Sequence, residues 1–164
     1  MRVSFTPEEM RPICYRGVDR RIDALTKNRK GNHGFNRDDF WELDIEGMLA
    51  EAAVAKALGV VYDPRPGTLD TAWGDVAPGV QVRSTKYGNG HLLVHGSDFD
   101  EHVFVLVTGA QGSYNLAGWI QAKNAKSDRY WKTVKQRSAF WIPQSALRPF
   151  KVDEFKALWV NGDA

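Results

Sequence analysis

The sequence has a single cysteine, no long apolar run and no large excess of one charge. Cys14 is the only cysteine in 164 residues, so no disulfide can form within the chain. One cysteine and four histidines also exclude a cysteine-based structural zinc site. No segment approaches the roughly 20 apolar residues of a transmembrane helix, and the first residues lack the apolar stretch of a signal peptide. We therefore expect a cytoplasmic protein with no membrane partner.

Charge is balanced overall but segregated along the chain. The net charge is +2, yet residues 11–37 carry eight basic and two acidic side chains, and residues 123–137 carry six basic and one acidic. Between them, residues 38–75 carry nine acidic and two basic side chains. An acidic centre between two basic segments suits a metal pocket flanked by phosphate-binding surfaces. Solvated helix faces that happen to cluster are the alternative.

The apolar spacing predicts one α/β domain over 1–164, with helices first and a mixed central sheet after them. Its parts are an N-terminal basic helical segment (1–38), a core (39–125) and a C-terminal basic, capping segment (126–164). We expect a break at Pro12 and a hairpin loop at 86–90. Helices are predicted at 6–30, 39–58, 122–130 and 152–159, and strands at 60–62, 79–85, 91–95, 102–108, 114–121 and 139–142.

Four polar residues stand in an order that suggests a metal site. Glu51 lies mid-way along a helix of small residues, and Asp75 ends an extended stretch. Gln81 and Arg83 follow on the next strand, where a spacing of two puts both side chains on one face. Converging oxygen ligands would bind a hard divalent cation, which lowers the pKa of a bound water and stabilises charge on a phosphate. The alternative is that Gln81 and Arg83 form the wet face of a half-buried strand.

The order of these residues resembles the core motif of the PD-(D/E)xK nucleases, the restriction-endonuclease-like superfamily. The small-residue helix over 47–59 is similar to the one that carries the family's glutamate, and the resemblance covers roughly residues 40–125. It implies a three-layer core, with a central mixed sheet flanked by helices, and Mg²⁺- or Mn²⁺-dependent hydrolysis of DNA or RNA, often in phages or mobile elements. Glu51, Asp75, Gln81 and Arg83 would be catalytic, and Glu51, Asp75, Gln81 and the Val82 carbonyl would bind the metal.

The sequence departs from the family pattern at two positions. Gln81 stands where a second carboxylate is usual, and Arg83 stands where a lysine is usual. Arginine stays protonated and cannot act as a general base, although it can stabilise developing phosphate charge. Lys86 is a substitute cation. Two alternatives therefore stay open: a protein of this fold that binds nucleic acid or a protein partner without cleavage, and an interaction protein whose carboxylates are incidental.

Basic side chains in the C-terminal half are the candidates for contact with nucleic-acid phosphates. Trp131 lies among them and would either stack on a base or pack against the protein. Arg16, Arg20 and Arg21 of the first helix form a second candidate group. A homodimer is one expected assembly. The predicted nucleic-acid-binding residues are Lys86, Lys123, Lys126, Arg129, Lys132 and Lys135.

Overall fold

The computed structural model describes residues 1–27, 40–63, 74–134 and 137–160. Within these ranges the chain forms four α-helices, seven strands and two short 3₁₀ helices. The α-helices are α1 (Pro7–Thr26), α2 (Phe40–Leu58), α3 (Ala122–Ala125) and α4 (Val152–Val160). The strands are β1 (Arg2–Ser4), β2 (Val80–Thr85), β3 (Leu92–Val94), β4 (Val103–Ala110), β5 (Ser113–Gln121), β6 (Trp131–Val134) and β7 (Arg137–Ile142).

Helix α1 begins with a capping box. The Thr6 hydroxyl accepts from the Glu9 amide at 3.3 Å, and the Glu9 carboxylate accepts from the Thr6 amide at 2.8 Å. The predicted break at Pro12 is wrong, because the helix runs through it. Pro12 lies within the second turn, where it removes one backbone hydrogen bond and leaves the carbonyl of an exposed residue, Glu8, to water. The helix ends at Thr26, before the predicted end at residue 30.

Helix α2 confirms the predicted helix over 39–58, apart from residue 39, which lies outside the described ranges. Every residue from Met48 to Ala55 is buried, because α1 covers one side of α2 and the sheet covers the other. The two helices approach closely at Gly17, where an added Cβ would lie only 2.7 Å from the Cα of Ile45. The absence of a side chain at Gly17 therefore allows α1 to approach the backbone of α2 closely.

The main sheet is mixed and has the order β1-β5-β4-β2, and β2 runs parallel to β4 while the other pairs are antiparallel. A second, antiparallel sheet has the order β3-β7-β6. The predicted α/β class with a mixed sheet is confirmed. The predicted hairpin at 86–90 is wrong, because β2 and β3 belong to different sheets. Leu92 and Val94 of β3 instead pair with β7 and are fully buried.

Alternate residues of the central strands point into two separate cores. Val80 and Val82 join Leu49 and Ala53 of α2 in the first core. Phe104 of β4 faces the other way and joins residues of β3 and β7 in the second. The main sheet is thus covered by helices on one face and by the small sheet on the other. The predicted three-layer core, with helices flanking the sheet, therefore matches the structure on one face only. None of the described helices combines the length and the apolar character needed to span a bilayer.

The remaining differences from the predicted elements are local. The predicted strand over 60–62 is wrong, because these residues form an irregular segment after the end of α2. The predicted helix over 122–130 is α3 followed by a separate 3₁₀ turn at Asp128–Tyr130. Strands β1 and β6 were not predicted, because three or four residues are too few to show an alternating pattern. The other predicted strands and the last helix are confirmed within a few residues of their predicted ends.

Candidate active site

Asp75 lies against the outer edge of β2, the last strand of the main sheet. Gly74 before it has a φ of +82°, and an added Cβ there would lie 2.7 Å from the Val80 amide nitrogen. A side chain at residue 74 would therefore push this segment off the strand. The Asp75 amide donates to the Val80 carbonyl at 2.8 Å, and its Oδ2 accepts from the Val82 amide at 2.7 Å. Because the N–H and C=O of one strand residue point to the same side, the Val82 carbonyl also faces this edge.

Glu51 reaches the same region from the middle of α2, and it is only 8% exposed. Both of its carboxylate oxygens are engaged by the Arg20 guanidinium, through Nη1 to Oε1 and Nη2 to Oε2, each at 3.1 Å. The Tyr62 hydroxyl donates to Oε2 at 2.6 Å. Gly47, one turn before Glu51, lies beside the guanidinium, and an added Cβ there would make an ordinary contact of 3.9 Å with Arg20 Nη1. Glu51 is therefore a buried carboxylate in a bidentate ion pair.

The negative charge of Asp75 acts on Glu51, so the two acids lie close enough to interact. Burial raises the pKa of Glu51, the positive charge of Arg20 opposes this, and the negative charge of Asp75 raises the pKa further. Burial likewise raises the pKa of Asp75, while its hydrogen bond from Val82 and the charges of Arg83 and Arg20 act to lower it. Arg20 thus influences both carboxylates. The site holds one buried acid, Glu51, and one half-buried acid, Asp75, and the negative charge of Asp75 opposes ionisation of Glu51.

Gln81 and Arg83 share the face of β2 opposite to Val80 and Val82, as their spacing predicts. Arg83 lies over the Phe104 ring, with Cζ 4.9 Å from its centroid, and its Nη2 is 3.5 Å from Asp98 Oδ1. The Arg83 Nη1 also donates to the Val82 carbonyl at 3.4 Å, so the guanidinium reaches the outer edge of the strand. Gln81 is buried, and its Nε2 lies 3.4 Å from Nδ1 of His102. The structure therefore brings Asp75, the Val82 backbone and Arg83 together at this edge and directs Gln81 toward His102. Glu51 is linked to this group through the charge of Asp75.

The donor set at this edge fits a hard divalent cation. Two carboxylates and a backbone carbonyl are oxygen ligands, and Mg²⁺ is commonly held by one or two carboxylates together with waters and substrate phosphate. Among the described residues, no group of three or more His, Cys, Asp and Glu side chains is arranged to hold a metal. A cation at this edge would depend on the Val82 carbonyl and waters beside Glu51 and Asp75.

The predicted nucleic-acid-binding residues differ in their surroundings. Lys86, Lys123, Arg129 and Lys132 are exposed. Lys126 is tied to the carbonyl of Asp98 and to the carboxylate of Asp100, so its charge is already paired. Trp131 is 45% exposed and packs on Phe140 with ring centroids 4.7 Å apart, which leaves part of its ring accessible. Lys135 lies outside the described residues.

Sequence reasoning did not assign Tyr62 or Asp98 to the site, and it assigned Arg20 only to a basic segment. No motif spacing points to Tyr62 or Asp98, because both reach the site through the packing of loops against α2 and β2. Arg20 carried a weak signal, as a basic residue on the helix before the acidic one.

Comparisons with protein-family models, with curated proteins and with solved structures gave no significant match to this chain.

Proposed function

We propose that the protein is a divalent-metal-dependent nuclease of the restriction-endonuclease-like fold, which hydrolyses phosphodiester bonds of DNA or RNA in the cytoplasm. One observation carries the proposal: the Val82 amide holds Asp75 at the outer edge of β2, and Glu51 of α2, far away in sequence, is close enough for the charge of Asp75 to raise its pKa. Their order along the chain and their placement on a helix and beside a strand agree with the family motif. The packing of α1 and α2 on one face of a mixed sheet supports the same assignment, whereas the other face carries the small sheet.

Each residue of the site has a distinct role in the proposed mechanism. Glu51, Asp75 and the Val82 carbonyl would hold Mg²⁺ or Mn²⁺, which when bound acidifies a water and neutralises phosphate charge. Arg83 stays protonated and reaches the same edge, so it would stabilise negative charge on the attacked phosphate. Gln81 would have to exchange its contact with His102 for the ligand role that the family pattern gives it.

The exposed basic side chains supply a surface for the substrate backbone. Lys86, Lys123, Arg129 and Lys132 are exposed and positively charged. Each phosphate contact releases a counterion, so affinity for nucleic acid should fall steeply with salt. Trp131 offers an accessible ring for a base at the edge of the small sheet. The proposed substrate is therefore bound through its backbone, with at most one stacked base at this position.

Binding of nucleic acid without cleavage is the second candidate function. The observation that favours it is the bidentate Arg20–Glu51 pair, which engages both oxygens of a proposed metal ligand. The neutral Gln81 in place of a carboxylate points the same way, since it weakens attraction for a cation. In this case the basic surface would retain its function and the site would bind metal poorly.

A cleavage assay with matched variants separates the candidates. Single- and double-stranded DNA and RNA are incubated with the protein in Mg²⁺, Mn²⁺ or EDTA. We expect metal-dependent cleavage that falls about a hundredfold in Glu51→Gln and in Asp75→Asn. Glu154→Gln is the control, because Glu154 is an exposed carboxylate on α4. Full activity of Glu51→Gln would refute the site, and salt-sensitive binding without cleavage would select the second candidate.

A further inference from the structure

Arg20 stands where a cation at Glu51 would need space. Its two Nη atoms are each 3.1 Å from a different oxygen of Glu51, which is the geometry of a bidentate ion pair. The close approach of α1 to α2 at Gly17, one turn before Arg20, brings the guanidinium within reach. Arg20 was not part of the predicted metal site, yet it makes the closest charge contact that this site has.

A divalent cation and the Arg20 guanidinium compete for the same oxygens. Mg²⁺ binds a carboxylate oxygen at roughly 2.1 Å, so a guanidinium still held at both oxygens would crowd it and repel it. The Arg20 side chain is 41% exposed and therefore has solvent into which it can turn. Tyr62 would not have to leave Glu51 when a cation binds, because its hydroxyl is neutral and can keep donating to Oε2 beside the cation.

We propose, on the basis of the proposed function, that Arg20 is a positioning residue. It binds the Glu51 carboxylate in the metal-free protein and leaves it when a divalent cation binds. In the metal-free protein Arg20 holds the carboxylate in place and balances its charge. On metal binding the guanidinium turns toward solvent, where Arg16 lies one turn earlier on α1 and is half exposed. The metal affinity of the site then includes the cost of breaking this ion pair.

The test measures Mn²⁺ affinity by isothermal titration calorimetry at pH 8, on the full chain and without nucleic acid. Arg20→Met keeps the apolar stem and removes the charge, and we expect it to bind Mn²⁺ about tenfold more tightly than wild type. Arg20→Lys keeps the charge without the bidentate fork, so its affinity should fall between the two. Arg16→Met is the matched control, since Arg16 pairs with Asp19, and it should bind like wild type. A purely structural role for Arg20 would not tighten metal binding when the residue is removed.

The outcomes distinguish this inference from the proposed function. Equal affinity of Arg20→Met and wild type would overturn the role of Arg20 and leave the metal site standing. Absence of Mn²⁺ binding in both, with circular dichroism showing folded protein, would overturn the metal-dependent function itself. Should Arg20→Met fail to fold, Arg20→Lys decides, and wild-type affinity in that variant would overturn the inference. A crystal structure with Mn²⁺ on Glu51 and the Arg20 contact intact would do the same.

Discussion

Two glycines, one in each of the paired helices α1 and α2, should respond in opposite ways to the same substitution. At Gly17 an alanine Cβ would lie 2.7 Å from Ile45 Cα and 3.0 Å from Ile45 Cγ1, so the helices would have to move apart. Overpacking of this kind costs about 1–3 kcal/mol, and the gain in helix propensity offsets about 0.5–1 kcal/mol of it. We expect Gly17→Ala to lower the free energy of unfolding by about 1–2 kcal/mol.

At Gly47 the nearest atom to an added Cβ is Arg20 Nη1 at 3.9 Å, which is ordinary contact. Gly47→Ala should therefore raise the free energy of unfolding by about 0.5–1 kcal/mol, because alanine has the higher helix propensity and makes no clash here. Thermal and urea unfolding followed by circular dichroism would measure both variants against wild type. For a chain of this size each kcal/mol shifts Tm by about 2–4 °C. If Gly17→Ala proved as stable as Gly47→Ala, the close approach of α1 and α2 would be wrong, and so would the placement of Arg20 that depends on it.

Three further predictions concern Glu51 and Asp75. Tyr62→Phe removes the 2.6 Å hydrogen bond to Glu51 and should lower the free energy of unfolding by about 1.5–3 kcal/mol in urea titration; no change would show that this contact is absent in solution. The pKa values of Glu51 and Asp75 are raised above their ordinary 4.5 and 3.8, so the folded state binds protons more tightly than the unfolded state. The resulting stability is fully present below about pH 3.8 and is lost as pH rises through the folded-state pKa values. In a plot of the free energy of unfolding against pH, Glu51→Gln should lack the part of the slope that the glutamate causes. An unchanged slope in this variant would contradict the raised pKa of Glu51. Mg²⁺ or Mn²⁺ should raise Tm relative to EDTA, by the equivalent of about 2.7 kcal/mol when the metal concentration is one hundred times Kd. The rise should disappear in Asp75→Ala. A rise that persisted in that variant would place the cation elsewhere.

The elements with a strong periodic pattern were predictable from the sequence, and those that depend on distant partners were not. Helix α2 and strands β2, β4 and β5 carry long apolar patterns, and they form within a residue or two of their predicted bounds. The loop at 86–90 has hairpin composition, but composition does not show whether the next strand pairs with its neighbour. Strand β3 pairs with β7 instead, since its two buried residues fill the second core.

The candidate site divides in the same way. The motif order predicted that Glu51 and Asp75 lie near each other, and the charge of Asp75 acts on Glu51 in the structure. The contacts of Arg20 and Tyr62 with Glu51 were not, because they depend on how closely α1 packs on α2 and on the path of the chain after Leu58. A sequence pattern records which residues share a face of one element. It does not record the distance between two elements.

The hydrogen bond from the Val82 amide to Asp75 has a consequence for how the protein avoids self-association. Strand β2 is the last strand of the main sheet, and an uncovered last strand can recruit a strand from another molecule. Asp75 and Ala77 satisfy backbone groups on this side of β2, since Asp75 binds the Val82 amide and the Val80 carbonyl and the Ala77 carbonyl accepts from the Val80 amide. The half-buried carboxylate of Asp75 also repels an incoming peptide carbonyl. Asp75→Ala should therefore promote aggregation as well as weaken metal binding. Asp75→Asn keeps a hydrogen-bond acceptor at this position and is the better variant for testing the proposed catalytic role on its own.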